Sequence, residues 1–283
     1  MPTLHRRADD LEIPRRNGGK PEFRRVAAFG GIYSNHHALR RALDEAEARD
    51  VDAVICLGDL GAFGPYPDRA CELIREADAI VVRGNYDDSL ARGLEDCQCG
   101  YTAPRDNHYA RISYRYTFAN TSPTHRRWMG RLPETFRFRM GEAEVLAFHG
   151  SPRRMNEFLW ESTTPTHFLE RLADDWEADV LLGTHTGLHW RRALSRSRAY
   201  VNVGALGRPA NDGDPAVWFT ILEADGEGGV RSEFVRVPYD HEALAGEMEA
   251  EGLPDEFVET IRTGWWTTCL EVLPGKERAR GRW

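Results

Sequence analysis

An α/β fold built on a mainly parallel sheet is predicted for this 283-residue chain, and three observations predict it. Short apolar runs recur: Val26-Ala-Ala-Phe29, Val54-Ile-Cys-Leu57, Ala79-Ile-Val-Val82 and Val180-Leu-Leu182. Runs of this length suit strands buried on both faces. Segments with helical spacing separate them, as crossover connections between parallel strands require. Finally, most of the runs end in glycine and a polar residue, at the rim where open α/β sheets place ligands.

The elements follow in order. Residues 1–22 are rich in Arg, Asp, Gly and Pro without periodicity and are expected to form a loose extension. Arg25 to Gly30 is the first strand, and Asn35 is placed to cap a helix from His36 to Arg49, with Leu39, Ala42, Leu43 and Ala46 on one face. The second strand ends in Gly58-Asp59. Pro67 opens a helix carrying Ala70, Leu73, Ile74 and Ala77, and the third strand runs into Arg83-Gly-Asn-Tyr-Asp87. Residues 94–132 read as a helical insertion, with Ser122 as a cap and Pro123 at a first helical position. This aromatic, Arg-rich segment is expected to lie over one side of the strand-end rim and shape access to it. Strand patterns resume at Phe136-Arg-Phe138 and from Glu144 to His149, and a helix from Pro165 to Trp176 precedes the strand that ends before Gly183. Later strands are expected at Tyr200 to Val203, Ala216 to Leu222 and Val230 to Val237, the last two joined by a hairpin turn at Asp225-Gly226. Helices from His241 to Ala250 and Pro254 to Thr263 close a single domain spanning 23–270, leaving 271–283 as a basic, mobile tail.

A net charge of −8 and an isoelectric point near 5.7 give no electrostatic footprint for nucleic acid or an anionic membrane. No apolar run reaches membrane-spanning length, and the N-terminus has no signal-peptide core. Five scattered cysteines point to a reducing compartment, so a cytoplasmic protein is expected. Cys97-Gln-Cys99 reads either as a loop feature or as a redox-sensitive thiol pair.

Asp59, Asn85, His149 and His185 each follow an expected strand. Singly, each has a plain structural reading: a cap, a turn residue, a buried histidine bonded to backbone. Gathered at one rim, a carboxylate, an amide oxygen and two imidazoles form an N/O ligand set suited to Mn, Fe or Zn.

At these residues the chain resembles the calcineurin-like metallophosphoesterases, in particular their small bacterial phosphodiesterase-like branch. The likeness runs from about Val26 to Thr263. Gly58-Asp59-Leu-Gly61 matches the family's G-D motif, Gly84-Asn85-Tyr86-Asp87 its G-N-H-D or G-N-C-D motif, and Phe148-His-Gly-Ser-Pro152 its H-G-S-P segment. Asn202 to Pro209, with Gly213-Asp-Pro215, resembles N-P-G-S-x-G-x-P and the following G-D-P. The resemblance implies a four-layer α/β/β/α sandwich of the metallophosphoesterase type with a small helical insertion. It also implies two metals bridged by the residue that aligns with Asp59.

The chain departs from that pattern where the family has D-x-H-G-N: here stands Gly31-Ile-Tyr-Ser-Asn35, so both ligands of the first metal are missing. Counting from the preceding strand puts His185 on the first histidine of G-H-T-H and Gly187 on the second; counting back from Arg191-Arg192 puts Thr184 and Thr186 there. The first register confines every loss to one metal, so one ion is expected at Asp59, Asn85, His149 and His185, with a second doubtful. Tyr86 and Asp87 are the expected catalytic residues, although a phenol with a pKa near ~10 donates protons better than it accepts them. Tyr33, Arg83, Arg153 and His189 are expected to bind substrate. Tyr33 either ligates a strongly Lewis-acidic ion or fills the space of the missing metal. Two functions follow: hydrolysis of a phosphomonoester or phosphodiester, or a catalytically degenerate protein that binds a nucleotide, phosphate or protein partner. In either case the expected ligand is small and phosphorylated, and no membrane partner is expected.

Overall fold

The computed structural model describes residues 20–281. The polypeptide begins with β1 (Arg25–Phe29), α1 (His36–Ala48), β2 (Ala53–Cys56), α2 (Pro67–Glu76) and β3 (Ile80–Val81). Next come α3 (Asn85–Arg92), α4 (Pro104–Asn120), α5 (Pro123–Met129), β4 (Thr135–Met140) and β5 (Ala143–Phe148). Then follow α6 (Thr166–Asp175), β6 (Val180–Gly183), β7 (His189–Ala193), β8 (Ala199–Val203), β9 (Val217–Ala224) and β10 (Val230–Val237). The chain finishes with α7 (His241–Ala250), α8 (Asp255–Thr263) and α9 (Gly275–Arg280).

The strands form two five-stranded sheets, ordered β10-β9-β1-β2-β3 and β4-β5-β6-β8-β7. Each has a parallel centre: β1, β2 and β3 in the first, β5, β6 and β8 in the second. Alternation along the strands builds the layers. Val26, Ala28, Ile55 and Leu57 meet Val145, Ala147, Val180, Leu182, Val201 and Val203 between the sheets. The intervening residues Ala27, Phe29 and Cys56 turn outward to pack with Leu39, Ala42 and Ile74 of α1 and α2 and with Leu244 and Phe257 of α7 and α8. Leu146 and Leu181 pack outward under Leu169 and Leu172 of α6. Both sheets are therefore buried on both faces, which is why their central strands read as unbroken apolar runs. This is the α/β/β/α sandwich.

Several elements differ from expectation. The N-terminal residues 1–19 lie outside the described residues, whereas Pro21 to Phe23 are held to β4: Arg139 N donates to Pro21 O at 2.8 Å and Phe23 N to Arg139 O at 2.9 Å. α3 and β7 were not expected. β9 and β10 are joined by five residues rather than a tight turn, and the Asp225 carboxylate accepts from Glu227 N and Gly229 N at 2.9 Å each. The expected mobile tail is instead largely α9. Its Glu277 is buried and accepts from Ser162 N at 2.8 Å, while Arg280 pairs with Glu161 at 2.8 Å. Leu273, just before it, packs with Trp160 and Trp266, and Arg278 Nη2 donates to Leu270 O at 2.8 Å, so the helix is docked. Among the described residues no helix is long and apolar enough to cross a membrane.

The insertion does meet the strand-end loops. Ser113 of α4 accepts from Phe63 N at 2.8 Å and shares a 2.9 Å hydrogen bond with the Tyr86 hydroxyl. Asn85 Nδ2 donates to Cys97 O at 2.8 Å.

Candidate metal centre

Asp59 follows β2 in a left-handed conformation, with φ of 56°. Its backbone carbonyl accepts from Ile32 N at 2.9 Å and Tyr33 N at 3.1 Å, tying the loop after β1 to the loop after β2. Its side chain is buried, and Oδ1 accepts from Tyr86 N at 3.0 Å, leaving Oδ2 free to face the histidines.

Asp87 is the frame of this corner. Its Oδ2 accepts from Asp59 N at 2.9 Å and Gly84 N at 2.8 Å, and Oδ1 accepts from Leu60 N at 3.0 Å. Burial and the Asp59 carboxylate push Asp87 up to about 7, against the pull of those donors. Its acceptors are spent on holding two strand ends in register, so it positions Asp59. Replacing Asp87 by alanine would orphan three buried N–H groups at about 1–3 kcal/mol each. Urea denaturation should therefore register a loss of at least ~3 kcal/mol, with Asp87→Asn, which keeps one acceptor oxygen, losing less.

His149 follows β5. Its Nδ1 lies 2.6 Å from Leu57 O, and since a carbonyl only accepts, Nδ1 carries the proton. In the neutral ring Nε2 then holds a lone pair, fixed in orientation by the backbone bond, which is the arrangement of a metal-ligating histidine. Nε2 stands 3.3 Å from Asp59 Oδ2 and 3.0 Å from His185 Nδ1. The donor atoms of Asp59, His149 and His185 all lie within 4.8 Å of one another. His185, in a left-handed conformation with φ of 73°, stacks on Phe158 at 4.3 Å. The neighbouring Thr184 hydroxyl is turned away, donating to Gly204 O.

Electrostatics follow from burial. Burial raises Asp59, but the His149 ring outweighs it and holds the carboxyl below the usual range. Burial lowers His149, yet Asp59 outweighs this and the ring sits above its ordinary value. Burial and then His149 lower His185 to about 3, so it is a neutral ligand-ready imidazole. One buried acceptor at this corner, Asn85 Oδ1, has no hydrogen-bond partner. Buried polar atoms are seldom left so. Three converging ligand atoms with the unspent Asn85 Oδ1 beside them fit a transition-metal ion of the Mn, Fe or Zn type.

The side chains of most of the other expected residues are engaged with neighbours outside the centre. Tyr86 is buried with its hydroxyl on Ser113 and its ring edge-on to Tyr114. Arg83 is spent on Glu134 at 2.8 Å and Gly130 O at 3.3 Å. Arg153 pairs with Glu157 and lies over Phe168. His189 is wedged between Trp218 and Phe234, with ring centroids 4.6 and 4.7 Å away. Tyr33 remains beside the centre. Its ring covers Gly31, where an added β-carbon would come 2.4 Å from Tyr33 Cε1, and an added β-carbon at Gly187 would come 2.9 Å from Trp266 Cη2. Aromatic rings thus occupy the space over both vacated positions.

Sequence reasoning missed Arg208. It is buried, with its guanidinium 4.0 Å over the Trp266 ring and 5.0 Å over Phe63, and Nη2 donating to Thr268 O at 2.7 Å. With Tyr33, Phe158, His185 and Trp266 it lines a cavity of about 20 Å³. Its signal was its place directly before Pro209 at the end of the Asn202 to Pro209 motif. Cys97 and Cys99 form a disulfide against Asn85, whereas Cys56, Cys71 and Cys269 are free and buried.

Comparison with known proteins fits this geometry. A model of the calcineurin-like phosphoesterase superfamily domain matches residues 25–227. The chain belongs to that superfamily, and membership implies phosphoester hydrolysis in general terms. It is 26% identical to a metallophosphoesterase from Sphaerobacter thermophilus, covering 86% of this chain and 99% of the other with a TM-score of 0.64. It shares its fold with hypothetical protein PH1004 from Pyrococcus horikoshii OT3, at a TM-score of 0.72 and 21% identity over 87% of this chain and all of that one. Among curated proteins it is 24% identical over 255 residues to uncharacterized protein MJ0912 of Methanocaldococcus jannaschii, covering 84% of this chain and 98% of its relative.

Proposed function

We propose that this protein is a metal-dependent phosphoesterase that works with one ion, held by Asp59, His149, His185 and Asn85, on a small phosphorylated or nucleotide substrate. The observation that carries the reading is the His149 ring, fixed by Leu57 O with Nε2 facing Asp59 Oδ2 and His185 Nδ1, beside the buried Asn85 Oδ1 that has no hydrogen-bond partner. A bound ion would supply charge to polarise a phosphoryl oxygen and to acidify a water. The chain supplies the rest. The Leu57 carbonyl keeps the His149 proton on Nδ1, and Arg208 offers a desolvated guanidinium to a phosphate oxygen. Burial, and then the Asp59 carboxylate, push the Tyr33 phenol far up, so it acts as a hydrogen-bond donor rather than a base. A cavity of about 20 Å³ holds roughly one water, so a substrate entering on this side must displace the rings of Phe158 and Trp266.

That closure favours the second reading: a degenerate member that binds metal or phosphate without turnover. Aryl phosphomonoesters and phosphodiesters incubated with the protein and Mn²⁺, Fe²⁺ or Zn²⁺ separate the two. Turnover supports the phosphoesterase. No turnover, together with a melting temperature raised by metal, supports the binder. Failure on both counts contradicts both readings. A cytoplasmic setting belongs to the same proposal and rests on the free thiols of Cys56, Cys71 and Cys269; there the Cys97–Cys99 bond would be a redox-sensitive pair.

A further inference from the structure

We propose that His36, His37 and Glu247 form a second, surface metal site for a borderline divalent ion such as Zn²⁺, separate from the buried centre. Asn35 caps α1, its side chain accepting from Ala38 N at 2.9 Å, so two successive histidines start the helix. Their rings lie side by side, centroids 4.2 Å apart with a 37° tilt. Both Nε2 atoms approach one oxygen of Glu247 on α7: His37 at 3.2 Å and His36 at 3.4 Å. All three donor atoms fall within 4.8 Å of one another. Ligands on a tetrahedral ion with bonds of about 2.0–2.1 Å are themselves about 3.3 Å apart.

The hydrogen-bond roles at this corner favour positive charge. Arg69 Nη1 lies 3.4 Å from His36 Nε2 and 3.3 Å from Glu247 Oε1. A guanidinium only donates, so His36 Nε2 is an acceptor there and carries a lone pair. Nε2 and Glu247 Oε2 are then two acceptors at 3.4 Å, an approach that repels unless positive charge lies between them. Arg69 partly meets that need from the side, and its own side chain is half exposed, held over the Tyr66 ring at 4.2 Å and able to swing away. Side-chain exposures of 11%, 25% and 26% for His36, His37 and Glu247 give an ion access and leave room for a water as a fourth ligand. Two imidazoles and a carboxylate select an ion of the zinc class over magnesium or calcium. An ion there would brace the start of α1 against α7. It would thereby steady the Tyr33 to Asn35 segment, whose Asn35 Nδ2 donates to Gly207 O at 3.3 Å.

Equilibrium dialysis of the full chain against Zn²⁺ tests this. His37→Ala and Glu247→Gln should each remove one equivalent of bound zinc while leaving the equivalent that His149→Ala removes. Arg69→Ala should tighten the same site about tenfold, because it takes away a positive charge roughly 5 Å from a dication in a solvent-exposed setting. Glu247→Gln keeps the size of the side chain and guards against misfolding as the cause of a loss; circular dichroism of each variant checks the fold. Unchanged zinc stoichiometry in both His37→Ala and Glu247→Gln would overturn the proposal. So would an Arg69→Ala variant that binds no more tightly than the parent.

Discussion

Alanine in place of His149 is expected to abolish tight metal binding at the buried centre and to cut any phosphoester hydrolysis on the order of a hundredfold or more. The effect is large because this one ring does three things. It accepts orientation from Leu57 O at 2.6 Å, aims Nε2 at Asp59 Oδ2, and stands 3.0 Å from His185 Nδ1. Its loss also leaves the buried Asp59 carboxylate without its cationic partner, which costs stability in the metal-free protein. Elemental analysis and turnover should fall together, with far-UV circular dichroism retained. His149→Gln, which restores a polar head but not an imidazole lone pair, should recover stability more than metal.

Opposite pH slopes for metal-free and metal-loaded protein are the second large effect. The sign follows from the two shifts. His149 is raised above its ordinary 6.5, so in the metal-free protein its contribution is full below that value and is lost as pH climbs through the raised one. Asp59 is held below 3.8, so its contribution is full above that value and is lost as pH falls through the lowered one. Metal-free protein should therefore lose melting temperature as pH climbs above the ordinary histidine value of about 6.5 and the buried pair discharges. Metal binding needs the His149 lone pair free of its proton, so stabilisation by the ion should grow over the same range. Thermal scans of chelated and metal-loaded protein at the two ends give the comparison. Parallel slopes would mean that the ion does not bind His149.

Much of the site could be read from the chain because strand ends announce themselves. Asp59, His149 and His185 each follow an apolar run, and two doubly buried sheets packed face to face bring such ends together at one rim. What could not be read is what lies over the rim. Trp266, Phe158 and Arg208 come from loops with no periodicity, and only the folded chain shows that an indole sits against Gly187 and a phenol ring against Gly31. Arg83 and Arg153 looked available for phosphate because their partners Glu134 and Glu157 carry no signal of proximity on their own. Asp87 shows the opposite confusion: a motif carboxylate that reads as chemistry but spends its oxygens on Asp59 N, Leu60 N and Gly84 N. α9 was hidden because a short charged helix carries its buried docking residue, Glu277, in the guise of surface charge.

Anomalous diffraction from crystals soaked in Mn²⁺, collected at the manganese edge, tests the one-ion centre most directly. One peak beside Asp59, His149 and His185, with Tyr33 still lying over Gly31, is the predicted result. Two peaks about 3.5–4 Å apart astride Asp59, with the Tyr33 ring swung out to admit the second, would contradict it.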